Sequence, residues 1–265
     1  MSWWRVAVLA SVLLNGFVLV GLVAGGASAA LARHRFASLI ELILVGWGAV
    51  AVGGLGTFAG AWFLGGAFTT DPATLASGPW LVAGILATGA GECVIVVAAE
   101  VLARSALGRG PSSRWWLAAG ALAGPALLGI GAGWGAFLAA EGYAPEQQEV
   151  AQALVREEGW VRVLAMLFVG GTAPVLEELC FRGWLLPALQ RLFSGFRLGT
   201  PVALVATSLA FAGMHADAPW ALPPLFLVGA VCGWLRLRSG STFPGILAHL
   251  GNNGLALALV FAGAG

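Results

Sequence analysis

The chain has 265 residues, 59% of them hydrophobic and only 9% charged, with 40 glycines, 12 tryptophans and a mean hydropathy of +0.91. That composition excludes a soluble globular domain and describes an integral membrane protein, and a net charge of +1 gives no reason to expect a nucleic-acid partner. No lysine is present, so all 13 basic residues are arginine.

Apolar runs long enough to cross ~30 Å of hydrocarbon as helices predict about eight spans in a single integral-membrane unit, residues 1–265. They lie near Trp4 to Leu31, Leu39 to Phe68, Pro79 to Ala103, Trp115 to Ala140, Trp160 to Leu186, Pro201 to His215, Leu222 to Leu235 and Phe243 to Ala262. The fold class is therefore an all-α, polytopic membrane helix bundle. Arg5 and the small residues Ala27, Ser28 and Ala29 around the first run imitate a signal peptide. The apolar stretch is too long for a cleaved segment and seven more follow, so it reads as a retained helix. The sixth and seventh runs are short, and the fifth reads on as an interrupted helix to Phe193.

Most arginines fall between helices. Arg33 and Arg35, then Arg104, Arg109 and Arg114, then Arg191 and Arg197, then Arg236 and Arg238 follow the odd-numbered runs. The even connections carry Asp71, the group Glu141, Glu146, Glu149, Glu157 and Glu158, and Asp217. The positive-inside rule then makes the odd loops cytoplasmic and puts both termini outside, with Arg5 the one dissenting charge. The stretch from Tyr143 to Glu158 reads as an amphipathic surface helix or an external loop. Cys93, Cys180 and Cys232 sit in three different apolar runs and read as packing residues rather than a disulfide framework.

Ionisable side chains inside a membrane helix are costly and mark function by default. Asn15, Glu41, Glu92 and Glu100 occupy the first three runs, and Glu92 is a possible second polar site. The denser group lies later. Glu178 and Arg182 are four residues apart with the acid first, the favourable order for an ion pair on one helix face. Glu177 lies about 100° around the helix and is left without the arginine. Pro174, after Gly170 and Gly171, should interrupt the helix just upstream, so that Glu177 falls in the first turn of a new segment, where the positive helix end tolerates a carboxylate. Phe211 and His215 repeat the four-residue spacing, with the ring beneath the imidazole, and His249 and Asn253 repeat it again. At ~1.5 Å per residue from the cytoplasmic loops, His249 lies roughly 10 Å deep, Glu177 about 15 Å and His215 about 20 Å. A carboxylate, two imidazoles and a carboxamide around one cavity are the parts for activating a water and holding an oxyanion. Each motif alone has a structural reading: a helix staple, an interfacial histidine, an interhelical carboxamide. Their conjunction is what points to chemistry.

The series Glu177-Glu178-x-x-x-Arg182, Phe211-x-x-x-His215 and His249-x-x-x-Asn253, with the approach "RLRSGSTFPGILAHLGNN", resembles the CPBP intramembrane proteases. That group includes the CAAX prenyl endopeptidases and bacterial proteins related to bacteriocin self-protection. The resemblance covers residues from about Trp160 onward, so that 160–262 would hold the catalytic core helices. It implies Glu177 as the base that activates water with help from His215, His249 and Asn253 at the oxyanion, and Glu178, Arg182 and Phe211 as structural support. It also implies a metal-free hydrolase without a cofactor, although His215, His249 and Glu177 could in principle bind zinc. His-Glu-x-x-His and Gly-x-Gly-Asp signatures of other intramembrane proteases are missing.

The expected partners are membrane lipids and a membrane-anchored, leader or sorting-tail peptide substrate. The Ala-, Gly- and Arg-rich, lysine-free composition suggests a prokaryotic inner membrane, where prenylated substrates are not expected. Two rival readings remain: a catalytically idle scaffold or bacteriocin-immunity protein, and a small proton-coupled transporter using Glu92, Glu177 and the histidines.

Overall fold

The computed structural model describes residues 80, 113–143, 162–163, 166–215 and 218–263. The first three predicted spans fall almost wholly outside these, as do Asn15, Glu41, Glu92, Glu100, Cys93 and residues 144–158 of the expected surface segment. The described residues are all-helical, without strands. Helix α1 is Arg114–Ala140. An interrupted helix follows: a π-helical stretch π1, Phe168–Thr172, then α2, Ala173–Glu178, then π2, Leu179–Leu185, then α3, Leu186–Leu192. Helices α4 (Gly199–Gly213), α5 (Leu222–Ser239, after the short 3-10 turn Pro219–Ala221) and α6 (Phe243–Gly263) complete the set. Three are long and apolar enough to cross a membrane: Arg114–Ala140, Pro219–Ser239 and Phe243–Ala262.

Side-chain distribution fits a lipid solvent. Leu122, Leu209 and Leu259 are exposed, whereas Glu178, Arg182, Thr207, Ser208, Thr242 and His249 are buried. Burying charge inside and leucine outside is uneconomical in water and natural in hydrocarbon.

Close backbone contacts set the helix directions. Gly120 lies against Pro244, and a Cβ at Gly124 would come within 2.7 Å of the Ala248 carbonyl oxygen. The contacts advance together along both helices, so α1 and α6 run parallel, joined by a seam that admits only small residues. Gly229 meets Ser208 and Gly233 meets Leu204, so α4 and α5 run antiparallel. Trp116 packs edge-on against Trp234 at 5.7 Å, and Trp134 Nε1 donates to the Trp220 carbonyl at 2.7 Å, which makes α1 and α5 antiparallel as well. These registers gather Arg114, Arg197, Arg236 and Arg238 at one end of the bundle and leave Glu141 at the other.

The fifth predicted span is not broken at Pro174. It continues as a helix whose pitch widens, with Thr172 still in the right-handed helical region at φ −68° and ψ −46°. Glu177 is therefore not in the first turn of a fresh segment, and no free positive helix end sits beneath it. A proline lacks the N–H of its rung and its ring pushes against the carbonyl four residues back; a local π step relieves both. Pro187 does the same after π2, and α-geometry resumes in each case at the residue before the proline.

Candidate active site

The widened helix presents its carboxylates toward α6. Glu178 is completely buried, and its Oε1 lies 2.8 Å from Arg182 Nη1 and 3.1 Å from His249 Nδ1. Arg182 is also fully buried, and one charge partner does not satisfy a guanidinium in such a place. Its Nη2 donates to the Gly229 carbonyl at 2.9 Å, and the cation lies 4.7 Å from the Phe211 ring centroid. Gly229 allows α5 to come this near, because a Cβ there would meet the Ser208 backbone at 3.0 Å. One ion pair thus ties together the interrupted helix, α4, α5 and α6.

Glu177 has a different environment. Its side chain keeps 16% exposure, and its Oε2 stands 3.7 Å from His249 Nε2, beyond direct hydrogen-bond reach. His249 is only 3% exposed and is shared, one nitrogen facing each glutamate. Phe211, completely buried, has its ring centroid 5.4 Å from both the His215 and the His249 imidazoles. His215 sits just past the end of α4, with its Nδ1 3.2 Å from the Phe211 carbonyl oxygen. Arg182, His215 and His249 therefore share the Phe211 ring as a neighbour, and the two glutamates join them through His249.

Asn253, one turn beyond His249, is engaged elsewhere. Its Nδ2 donates to the Val169 carbonyl at 3.3 Å, and its Oδ1 accepts from Asn252 at 3.0 Å. Since an amide carries two N–H groups, one remains beyond the Val169 contact. Among the described residues no group of three or more His, Cys, Asp and Glu side chains is placed to hold a metal ion.

Several contributors escape motif reasoning. Gly245 lies one turn before His249, and a Cβ there would come within 2.8 Å of Glu178 Oε2. The spacing Gly245-x-x-x-His249 was a readable signal. The Gly229 carbonyl and Arg236, whose Nε donates to the Arg182 carbonyl at 3.2 Å, had none, since backbone acceptors leave no mark in a sequence.

Comparison with known families agrees with the motifs. The model for "Type II CAAX prenyl endopeptidase Rce1-like" proteins matches residues 159–255, rather more than a third of the chain and the part that holds all three motifs. No curated protein and no solved structure gives a significant match. Through that segment, with its paired glutamates, His215 just past α4 and His249 in α6, the chain is similar to the CAAX-type membrane proteases.

Proposed function

We propose that the protein is a glutamate-dependent intramembrane endopeptidase. The observation that supports it is the division of labour between adjacent carboxylates. Glu178 is sealed and paired with Arg182, while the Glu177 side chain keeps 16% exposure and its buried Oε2 faces a histidine across 3.7 Å. Two carboxylates with opposed environments are the usual means of separating a structural role from an acid–base role.

In this reading Glu177 takes a proton from water and the resulting hydroxide attacks the scissile carbonyl carbon. His215, whose ring lies 5.4 Å from that of Phe211, assists. In its doubly protonated form His249 donates Nδ1–H to Glu178 and offers Nε2–H to the developing oxyanion, together with the amide hydrogen of Asn253 not used by Val169. Glu177 then delivers its proton to the leaving amine. Gathering these groups in a buried, low-dielectric site strengthens each interaction and excludes competing water. No step requires a metal.

The substrate is a peptide held at the membrane, a sorting tail or leader rather than a prenylated C-terminus. The arginine-bearing end of the bundle is taken as cytoplasmic, with the protein resident in a prokaryotic inner membrane. The test is cleavage of a set of membrane-anchored peptides by the purified protein in liposomes, with Glu177→Gln and a chelator in parallel. Cleavage abolished by the variant and indifferent to the chelator supports the reading. Cleavage that the chelator stops and zinc restores would replace it with a metallopeptidase, and a Glu177→Gln variant as active as the native chain would remove the proposed base.

A further inference from the structure

Each proline of the interrupted helix leaves one backbone carbonyl without its helical donor. At the second junction the Leu186 N–H bonds the Phe181 carbonyl, a step of five residues. The next carbonyl in that register, Arg182, would take its proton from residue 187, which is a proline. At the first junction the Ala173 N–H bonds the Phe168 carbonyl, and Val169 would look to residue 174, again a proline. Buried inside a bundle, such a carbonyl must find a donor from outside its own helix. Both do: Arg236 Nε of α5 donates to the Arg182 carbonyl at 3.2 Å, and Asn253 Nδ2 of α6 donates to the Val169 carbonyl at 3.3 Å. The recurrence makes the first of these more than an incidental contact.

From this geometry we infer that Arg236 is a positioning residue for the reaction, acting through Arg182; the inference rests on the protease reading above. Arg236 holds two places at once. Its Nη1 also donates to the Gly240 carbonyl, and its own carbonyl accepts from the Gly240 N–H at 3.0 Å. Gly240 is the left-handed residue, φ +74°, that ends α5 and turns the chain toward α6. Arg236 thus connects the turn that launches the His249 helix with the π junction that aims Arg182 at Glu178. A donor lost at the Arg182 carbonyl frees the widened turn to return to α-pitch, and the guanidinium turns with it. Glu178 then loses its anchor and no longer fixes the His249 ring. The effect should fall on the chemical step, because Arg236 holds the backbone carbonyl of Arg182, at the opposite end of that residue from the guanidinium that meets Glu178.

The test uses the full chain in detergent and four variants: Arg236→Met, Arg236→Gln, Pro187→Ala and the double variant Arg236→Met with Pro187→Ala. Met keeps the stem and removes the donor, Gln keeps a neutral donor, and Ala at 187 supplies the missing N–H within the helix itself. On a membrane-anchored peptide, Arg236→Met should lower kcat on the order of 10- to 100-fold with little change in KM. Arg236→Gln and the double variant should each recover most of the loss, and Tm should fall and recover in the same order. Native kcat in Arg236→Met, or a loss that neither Gln nor Pro187→Ala restores, would overturn the assignment. If Arg236→Met fails to fold, recovery of a folded double variant supports the carbonyl-capping role and its absence refutes it. If the native chain cuts no peptide, the protease reading fails on its own account and the Tm series still decides the capping.

Discussion

The two seams along α6 are built on opposite principles. On one, Pro244, Ala248 and Gly251 meet α1 at Gly120 and Gly124, where side chains are absent and backbone rests on backbone. On the other, one or two residues further along each turn, Gly245, His249 and Asn253 face the widened helix with its glutamates and arginine. The first seam gains stability from van der Waals proximity, the currency available between helices in lipid. The second is costly to assemble and is held by a network that must be complete to be tolerable. The lesson is that a costly polar face can be carried on a helix whose other face is set by close backbone packing: the glycine seam positions α6 where His249 meets Glu178.

Four experiments test that contrast. The largest effect belongs to Glu177→Gln, which should cost about 10²- to 10⁴-fold in cleavage rate, with Tm near native, measured by single-turnover cleavage; a stability loss as large as the rate loss would move Glu177 to the structural side. Next is Arg182→Met, which strands Glu178 without its cation and should destabilise by about 3–5 kcal/mol. Thermal unfolding in detergent would register it, and an unchanged Tm would contradict the network. Third is a pair of alanines chosen to separate the seams. Gly124→Ala drives a methyl against the Ala248 carbonyl and should cost roughly 1–3 kcal/mol of stability. Gly245→Ala, whose methyl meets the Glu178 carboxylate at 2.8 Å, should instead lower kcat by about tenfold at a smaller cost in Tm. Equal behaviour of the two would dissolve the distinction. The smallest effect is Gly129→Ala, in the interior of α1 with nothing within 4 Å of the added methyl, which should raise stability by about 0.5–1 kcal/mol, visible as a slightly higher Tm.

Most of the site could be read from the chain because its chemistry is expensive. A glutamate, an arginine or a histidine in an apolar run cannot be explained by lipid, and four-residue spacing places partners on one face. That reasoning recovers the Glu178 and Arg182 pair and groups Phe211 with His215. It fails at Pro174, where proline and two glycines suggest a broken helix and the chain keeps its helix by widening it. Propensity records that the α-rung is lost; it does not say whether the backbone stops or changes pitch, because neighbouring helices decide that by supplying donors to the freed carbonyls. It also places Asn253 only with His249, when half of its donor capacity goes to Val169.

By itself the sequence determines that this is a helical membrane protein, which end of each helix carries arginine, and which polar side chains must be enclosed, since these follow from transfer energies and helical period. Which glutamate is sealed and which stays open, that His249 stands between them, and that two proline junctions are completed by Arg236 and Asn253 are matters of tertiary structure alone. Each depends on backbone carbonyls and on the space left by glycines from helices distant in the chain, and neither quantity is carried by the identity of the residue that uses it.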